Sequence, residues 1–342
     1  MFSSLKFIAI ATVSALSICA AAHSQETLVV GGYAGSTEKI IREQILPKFE
    51  SENGVKVTYV AGNSTDILAK LQAQKDNQEF DVALIDDGPM ARAVSLGFCA
   101  PITDVDFTQF YPSAAFPEHK ASGLGLLASG LMYNAKAFAE KGWAKPTSWN
   151  DLKDPKFAGK IVIPPMNNGY GLLTVVMLAK MNGGGEQNID PGFKVIKDEI
   201  DKNVIAYEPS PAKMTELFQT GQAVLGVWGT SRVQALANTG FPVDFVYPTE
   251  GAPAVMTAIC PVAKASVSPK AQAFVKMMLS KEAQEILANE GGFAPVRKDA
   301  KVKTPGIMPY GEKAKQLVTA DWKTINEQRD EWNKRWTREV ER

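Results

Sequence analysis

The residue types in this chain that could bind or transform a small molecule are carboxylates, a tryptophan and an arginine. The stretch GVWGTSRVQ at 226–234 places Trp228 between two glycines, and Arg232 follows it by four residues. Asp86 and Asp87 stand together at the end of the apolar run VALI. An indole face attracts a cation and a guanidinium pairs with a carboxylate, so these residues indicate a site for a small charged solute.

Catalysis and metal binding find little support in the sequence. The chain holds two histidines, His23 and His119, and it lacks HExxH, CxxC, GxSxG and P-loop motifs. A zinc site would have to be built almost without His or Cys, and a Ser-His-Asp triad would depend on His119. We therefore expect no cofactor, no metal and no enzyme activity. An exported enzyme that uses Asp86 or Asp87 as a general base is the remote alternative.

The N-terminus predicts export. One lysine precedes the uncharged run FIAIATVSALSICAAA, which is typical of a cleavable secretory signal peptide at residues 1–24. Cleavage is expected after Ser24, or else after Ala22. A lipidated Cys19 is disfavoured by the bulky Ile18 before it, and the run is short for a membrane anchor. We expect a soluble protein in the periplasm.

Composition limits the size and the partners. The 342 residues suffice for about two domains, and 37 basic residues balance 37 acidic ones. A binder of nucleic acid or anionic membranes needs a basic excess, so neither partner is expected. After cleavage Cys99 and Cys260 remain, and in an oxidising compartment they form either one disulfide or two separate buried thiols.

Residues 27–98 and about 130–246 each alternate short β-rich runs with helical patterns. In the first unit the runs TLVVGG, VKVTYV and DVALI are separated by segments with apolar residues at helical spacing. Pro47 is expected to kink or shorten the first helix, and Ser64 or Thr65 to cap the second. Such alternation predicts an α/β fold with parallel strands and right-handed crossovers.

Two apolar segments, LGLLASGLMYNAKAF and VDFVYPTEGAPAVMTAICPVAK, precede and follow the core of the second unit. They are predicted to be paired strands that cross between the two units. Two helices are predicted to end the chain, at 268–292 and about 312–340. The last one carries an apolar stripe that Arg329 interrupts, and we interpret this stripe as a packing face. Its members are Val318, Trp322, Ile325, Trp332 and Trp336.

Candidate ligand contacts lie where the predicted strands end. In open α/β sheets the ligand crevice lies at the carboxyl ends of the strands, where helix N-termini also point. Adjacent residues of an extended chain point to opposite sides, so one of the two aspartates is expected to face the cleft. The candidates are Tyr33, Asn63, Ser64, Asp86, Asp87, Asn168, Tyr170, Trp228, Arg232, Tyr247 and Glu250.

Each candidate also has a purely structural interpretation. Ser64 and one aspartate suit helix caps, and the tyrosines suit ordinary packing. Glu250, in the turn PTEG, is equally suited to hold that turn. Arg232 could point to solvent or pair with a nearby acid.

The chain resembles the solute-binding proteins of bacterial ABC importers, in the subgroup that binds polyamines, ferric iron, thiamine and small amino compounds. Each similar segment is weak alone, but their order and spacing cover nearly all of residues 27–300. The segments are DVALIDDGPMA at 81–91, LMYNAKAFAEKG at 131–142, PTSWNDLKDPKFAGKIVIPP at 146–165, SPAKMTELFQTGQAVLGV at 210–227, VYPTEGA at 246–252 and SKEAQEILANEGGFAPVRKD at 280–299.

This resemblance implies a two-lobed Venus-flytrap fold, in which each lobe is a mixed sheet flanked by helices and the ligand lies between the lobes. It implies residues 25–127 and 251–305 for lobe 1, residues 128–250 for lobe 2, and residues 306–342 as a helical segment packed on the lobes. It also implies membrane permease subunits as partners, a monomer, and no covalent chemistry. In this architecture Cys99 and Cys260 fall in the same lobe, which makes a disulfide topologically possible.

The charges of the candidate contact residues indicate which ligand is expected. Polyamine binders need several carboxylates in the cleft, and iron sites of the family favour neighbouring tyrosines where this chain has WGTSR. Arg232 in a first helical turn opposes the helix dipole by about 0.5 kcal/mol, which an acidic ligand would offset. With Asp86, Asp87 and Glu250 available for an amine, a 4-aminobutyrate-like ω-amino acid is favoured. Putrescine or spermidine is the alternative, and ferric iron or thiamine is less favoured.

Overall fold

The computed structural model of the chain describes residues 26–341. The predicted signal peptide, residues 1–24, lies outside the described residues. The strands are β1 (Glu26–Tyr33), β2 (Val55–Gly62), β3 (Val82–Asp86), β4 (Ser122–Asn134), β5 (Ile161–Ile163), β6 (Val204–Tyr207), β7 (Leu225–Gly229), β8 (Val243–Val246), β9 (Ala252–Pro261) and β10 (Leu317–Val318). The α-helices are α1 (Ser36–Ile40), α2 (Leu46–Asn53), α3 (Ser64–Ala73), α4 (Asp87–Ser95), α5 (Ala135–Glu140), α6 (Gly169–Met181), α7 (Asp190–Val195), α8 (Pro211–Gln219), α9 (Thr230–Ala237), α10 (Pro269–Met278), α11 (Lys281–Gly291) and α12 (Trp322–Glu339).

The strands form two sheet halves that share the long strand β4. The first half has the order β2-β1-β3-β9-β4, and the second continues as β4-β7-β5-β6, with β8 also paired to β4. β4 pairs with β9 as far as Ala128 and with β7 from Ser129 onward. The predicted crossing strands are therefore confirmed, since β4 and β9 are antiparallel partners that connect the two halves.

We call the first sheet half with helices α1–α4, α10 and α11 the first lobe, and the second half with α5–α9 the second lobe. In the first lobe β1 lies parallel to β2 and β3, and in the second β5 lies parallel to β6 and β7. The predicted parallel α/β units are thus confirmed. The partner change in β4 falls next to the predicted boundary at residues 127 and 128, and the domain boundaries themselves stay predictions.

Local sequence signals explain how the helices begin. The expected interruption at Pro47 is a π-helical turn, Ile41–Ile45, between α1 and α2. The predicted cap of α3 was wrong by one residue, because Asn63 accepts the backbone N–H of Asp66 at 2.9 Å. Ser64 is thereby released for another contact.

The core of each lobe is made of large apolar side chains packed under the sheets. Trp149, Phe157, Phe193 and Phe218 in the second lobe, and Phe49 in the first, are almost completely buried. The first lobe also contains a disulfide between Cys99 and Cys260, whose Cα atoms lie 5.7 Å apart. This bond ties the segment after α4 to the end of β9.

Candidate functional site

A cavity of about 270 Å³ lies between the two lobes. Each of the six parallel strands contributes residues at or just beyond its carboxyl end, as expected for an α/β crevice. The strand-end residues that line it are Tyr33, Gly62, Asp86, Pro164, Glu208 and Trp228. Helices α3, α6, α8 and α9 are among those that begin at this cavity, and their N-terminal backbone N–H groups favour a negative ligand charge.

Asp86 provides the carboxylate of the first lobe. The Ser64 hydroxyl donates to its Oδ2 at 2.8 Å, and the Ser64 Oγ accepts the Asp86 backbone N–H at 3.0 Å. Burial raises the pKa of Asp86, while the Ser64 and Tyr33 hydroxyls and the charges of Arg329 and Arg232 act in the opposite direction. Ser64 therefore fixes the orientation of a carboxylate that lines the cavity.

Two tyrosines share this part of the cavity. Burial raises the pKa of Tyr33 well above its usual range, and the neighbouring Asp86 charge adds to this. Tyr170 also has a raised pKa because of burial. Both hydroxyl groups therefore stay protonated at physiological pH and can donate or accept a hydrogen bond. Both tyrosines line the cavity.

Two guanidinium groups face the cavity from the second lobe and from α12. Arg232 lies in the first turn of α9, and its Nη1 donates across the cleft to Ser36 Oγ at 3.2 Å. Arg329, on α12, is only 8% exposed. Its Nη2 donates to Thr65 Oγ1 at 2.9 Å and to the Asn167 carbonyl at 3.1 Å. Neither arginine points freely into solvent.

The WGTSR corner is shaped by close approaches between backbone and rings. Trp228 is 4% exposed at the end of β7 and lines the cavity. A methyl group on Gly229 would lie 2.2 Å from the Tyr170 hydroxyl oxygen, and one on Gly226 would lie 2.7 Å from the Val162 carbonyl. The two glycines are therefore required by lack of space, and the Tyr170 ring lies directly over the corner.

Two asparagines predicted as ligand contacts hold helix starts at the cavity wall. Asn63 caps α3, and Asn168 caps α6 by accepting the Tyr170 backbone N–H at 2.9 Å. Both residues line the cavity. Their Oδ1 atoms are thus engaged in capping, which leaves the amide N–H groups for a ligand.

Three predicted contacts lie outside the cavity lining. Asp87 accepts the Gly88 backbone N–H at 3.1 Å, and Trp322 also hydrogen-bonds to it. Burial, followed by the neighbouring Asp86 charge, raises the pKa of Asp87 to about 7. Of the two adjacent aspartates only Asp86 lines the cavity, and its contact with a ligand stays a prediction.

The other two excluded residues support the chain rather than a ligand. Glu250 accepts hydrogen bonds from the Ser148 hydroxyl and from the Trp149 backbone N–H, so it fixes the turn before β9. The Tyr247 hydroxyl donates to the Ile307 carbonyl at 2.7 Å. Neither residue lines the cavity, and their role as ligand contacts stays a prediction without support from this geometry.

The sequence prediction also missed several cavity residues. Glu208 follows β6 directly, so the strand-end rule that selected Asp86 would have found it. Trp322 and Arg329 come from α12, whose stripe was interpreted as a packing face. That interpretation holds for Ile325, Trp332 and Trp336, which are buried. The remaining unpredicted polar lining residues are Thr37, Thr65, Asn167, Ser210, Ser231 and Thr257.

The arrangement is suited to binding a solute with both charge signs. Asp86 and Glu208 supply carboxylates, and Arg232 and Arg329 supply cations, in one small cavity. Within residues 26–341 no three His, Cys, Asp or Glu side chains are grouped so that they could hold a metal ion. Over the same range, every helix is too short or too polar to cross a bilayer.

Comparison with known proteins agrees with this architecture. Residues 44–310 match the family model described as bacterial extracellular solute-binding protein. A putative 2-aminoethylphosphonate-binding periplasmic protein of Salmonella typhimurium is 25% identical over 257 residues, which cover 73% of this chain and 72% of that protein.

Solved structures show the same fold. The periplasmic binding protein AfuA of Actinobacillus pleuropneumoniae, with fructose-6-phosphate bound, superposes with a TM-score of 0.79 at 22% identity, covering 93% of this chain and 99% of that one. The Atu4243-GABA receptor superposes with a TM-score of 0.74 at 21% identity, covering 91% and 96%. The predicted two-lobed fold is confirmed. The chain belongs to the bacterial extracellular solute-binding protein family.

Proposed function

We propose that this protein is the periplasmic solute-binding component of an ABC importer and that its ligand is a small amine-bearing acid. 4-Aminobutyrate is the favoured representative, and 2-aminoethylphosphonate belongs to the same class. The cavity of about 270 Å³ lies just below the roughly 300–1,000 Å³ of typical ligand pockets, which limits the ligand to a small molecule.

The observation that supports this ligand class is the pairing of opposite charges in one cavity. Arg232 and the start of α9 offer donors to an acidic group, whereas Asp86 and Glu208 offer acceptors to an ammonium group. A buried charge is stable only when it is paired and hydrogen-bonded. A zwitterion satisfies both kinds of protein charge with one molecule.

The alternative ligands fit these charges less well. A diamine or polyamine would satisfy the two carboxylates but would bring further positive charge beside Arg232 and Arg329, and like charges at short range are unfavourable. Thiamine meets the same objection. Ferric iron prefers several anionic oxygen ligands. Within residues 26–341 no three His, Cys, Asp or Glu side chains are grouped to hold a metal ion, and burial raises the pKa of Tyr33 and Tyr170, which disfavours their anionic forms.

The similar proteins are named for several ligand classes, among them spermidine and putrescine, and two of the names agree with an amine-bearing acid. The Salmonella relative is named for 2-aminoethylphosphonate, and one structural neighbour is named a GABA receptor. Both named compounds carry one amine and one acidic group.

Lobe closure is the proposed mechanism. The lobes are joined by β4 and β9. A ligand between them would contact both lobes and would therefore stabilise the closed arrangement. The closed protein would then deliver the solute to the membrane permease subunits. A remote enzymatic alternative, with Asp86 as a general base, requires that the ligand be recovered chemically altered.

A thermal-shift screen of the secreted protein tests the proposal. The panel contains 4-aminobutyrate, 2-aminoethylphosphonate, putrescine, spermidine, thiamine and ferric citrate. Butyrate and butylamine serve as matched controls that each lack one charge. A zwitterion at a hundred times its Kd should stabilise the protein by about 2.7 kcal/mol, and the two controls should have little effect. Stabilisation by putrescine and by neither zwitterion would contradict the ligand class.

A further inference from the structure

Helix α12 places a charge in the middle of an apolar stripe. Trp322, Ile325, Arg329, Trp332 and Trp336 follow one another at intervals of three and four residues, so they share one helix face. Ile325, Trp332 and Trp336 are buried, and Arg329 is buried with them at 8% exposure. A buried guanidinium is costly unless its partners compensate, so this position needs a specific explanation.

The second lobe holds the C-terminal half of α12. The Trp336 ring packs edge-on against Tyr207, with centroids 4.9 Å apart, and against Phe193 at 6.2 Å. The Arg335 guanidinium lies 4.2 Å from the centre of the Phe193 ring. These contacts fix this half of the helix on β6 and α7.

The N-terminal half of α12 contacts the first lobe. The Trp322 ring lies against Gly88 so closely that a methyl group there would approach it to 2.3 Å. The Asn326 amide donates to the Gly88 carbonyl at 2.9 Å, and Arg92 Nη1 donates to the Asn326 carbonyl at 3.3 Å. The helix therefore spans from one lobe to the other.

Arg329 lies where the two lobes meet. Its Nη2 donates to Thr65 Oγ1 of the first lobe and to the Asn167 carbonyl of the second. The Thr65 hydroxyl in turn donates to the same Asn167 carbonyl at 2.8 Å. These three residues form one hydrogen-bonded network, which exists only while the lobes are together.

The guanidinium has a further donor without a partner. Arg329 Nε is buried and makes no hydrogen bond within the described structure, and the residue lines the cavity beside Asp86. An unpaired buried donor costs about 1–3 kcal/mol. Because Nε is shielded from solvent, the guanidinium acts on the cavity through its charge beside Asp86 rather than through this N–H.

We propose that α12 is a strap across the cleft and that Arg329 is a ligand-linked closure residue. Its Nη2 joins the lobes through Thr65 and Asn167, and its positive charge favours an acidic ligand group in the adjoining cavity. This inference rests on the proposed function for the chemistry of the ligand, but the joining of the lobes does not depend on it.

Lobe separation can be measured with spin labels at Lys39→Cys and Lys213→Cys. These residues are exposed, one on each lobe, near the point where Gly35 approaches Pro211. We expect Arg329→Met to lengthen the label distance both without ligand and with 4-aminobutyrate or 2-aminoethylphosphonate. Affinity for these probes should fall at least tenfold, mainly through faster dissociation. The matched control Lys334→Met, at an exposed position of the same helix, should leave distance and affinity close to wild type.

Three further variants keep the test informative if Arg329→Met folds poorly. Thr65→Val removes the first-lobe acceptor and should weaken binding, whereas Thr65→Ser should retain it. The effects of Thr65→Val and Arg329→Lys should be non-additive, because both act on one network. Unchanged label distances in Arg329→Met, or strictly additive effects, would overturn the strap. If the wild type binds neither probe, the proposed function fails. The label distances measured without ligand in the wild type and in Arg329→Met would still test whether Arg329 holds the lobes together.

Discussion

At the scale of single residues, the site is defined by which side chains can reach the strand ends. Asp86 and Asp87 are neighbours, yet only Asp86 lines the cavity. Residue type and strand-end position were enough to find Tyr33, Tyr170 and Trp228. They were not enough to exclude Glu250, because its direction depends on how the turn before β9 folds.

The variant Arg232→Gln tests whether Arg232 binds the acidic group of the ligand. Arg232→Gln should weaken 4-aminobutyrate binding by about 2–3 kcal/mol, since truncating one partner of a buried charge pair costs at least that much. Binding of putrescine should not weaken and should improve slightly, because a positive charge is removed. Isothermal titration calorimetry on both ligands measures the difference, with exposed Lys213→Gln as the control. Equal losses for the two ligands would refute the proposed role of Arg232.

The raised pKa of Asp87 leads us to expect that the stability of the folded protein depends on pH. Its pKa is raised from 3.8 to about 7 in the folded protein, with burial as the main cause. Between these values the folded state binds more protons than the unfolded state, so stability falls as pH rises from about 4 to 7. Asp87→Asn should flatten that fall and raise the melting temperature more at pH 8 than at pH 4.5. A variant that is equally shifted at both pH values would show that Asp87 does not titrate in this range.

At the scale of elements, the alternation of strands and helices could be predicted from the sequence. The positions of all the residues that line the cavity could not. Periodicity located the parallel strands, and the strand-end rule then located most of the cavity. The role of Arg329 was not predictable, because Asn167 and Thr65 lie 162 and 264 residues away in sequence. The only local signal was a charge on an apolar helix face.

The close packing of the corner between β7 and α9 predicts that an added side chain there will lower stability and ligand affinity. Gly229→Ala should force the Tyr170 ring away from the corner, because the added methyl would meet its hydroxyl at 2.2 Å. Overpacking of this kind costs about 1–3 kcal/mol, and it should lower both melting temperature and ligand affinity. Gly169→Ala is the matched control for melting temperature, since its methyl would meet only Asp86 Oδ2 at 3.5 Å. Wild-type stability and affinity in Gly229→Ala would show that the Tyr170 ring moves freely.

At the scale of the whole molecule, the two lobes meet around a cavity that neither could form alone. Asp86 and Thr65 come from the first lobe, Asn167 and Arg232 from the second, and α12 spans both. The disulfide joins two parts of the first lobe, so it stabilises that lobe without restricting its movement relative to the other. Ligand binding and lobe closure are therefore expected to be a single coupled event.

Calorimetric titration of the wild-type protein with 4-aminobutyrate, 2-aminoethylphosphonate and putrescine tests the central claim most directly. The account predicts saturable one-to-one binding of at least one of the two amine-bearing acids. Putrescine, and controls with only the amine or only the acid, should bind at least a hundredfold more weakly. Tight binding of putrescine, or equal binding of a control that lacks one charge, would contradict it.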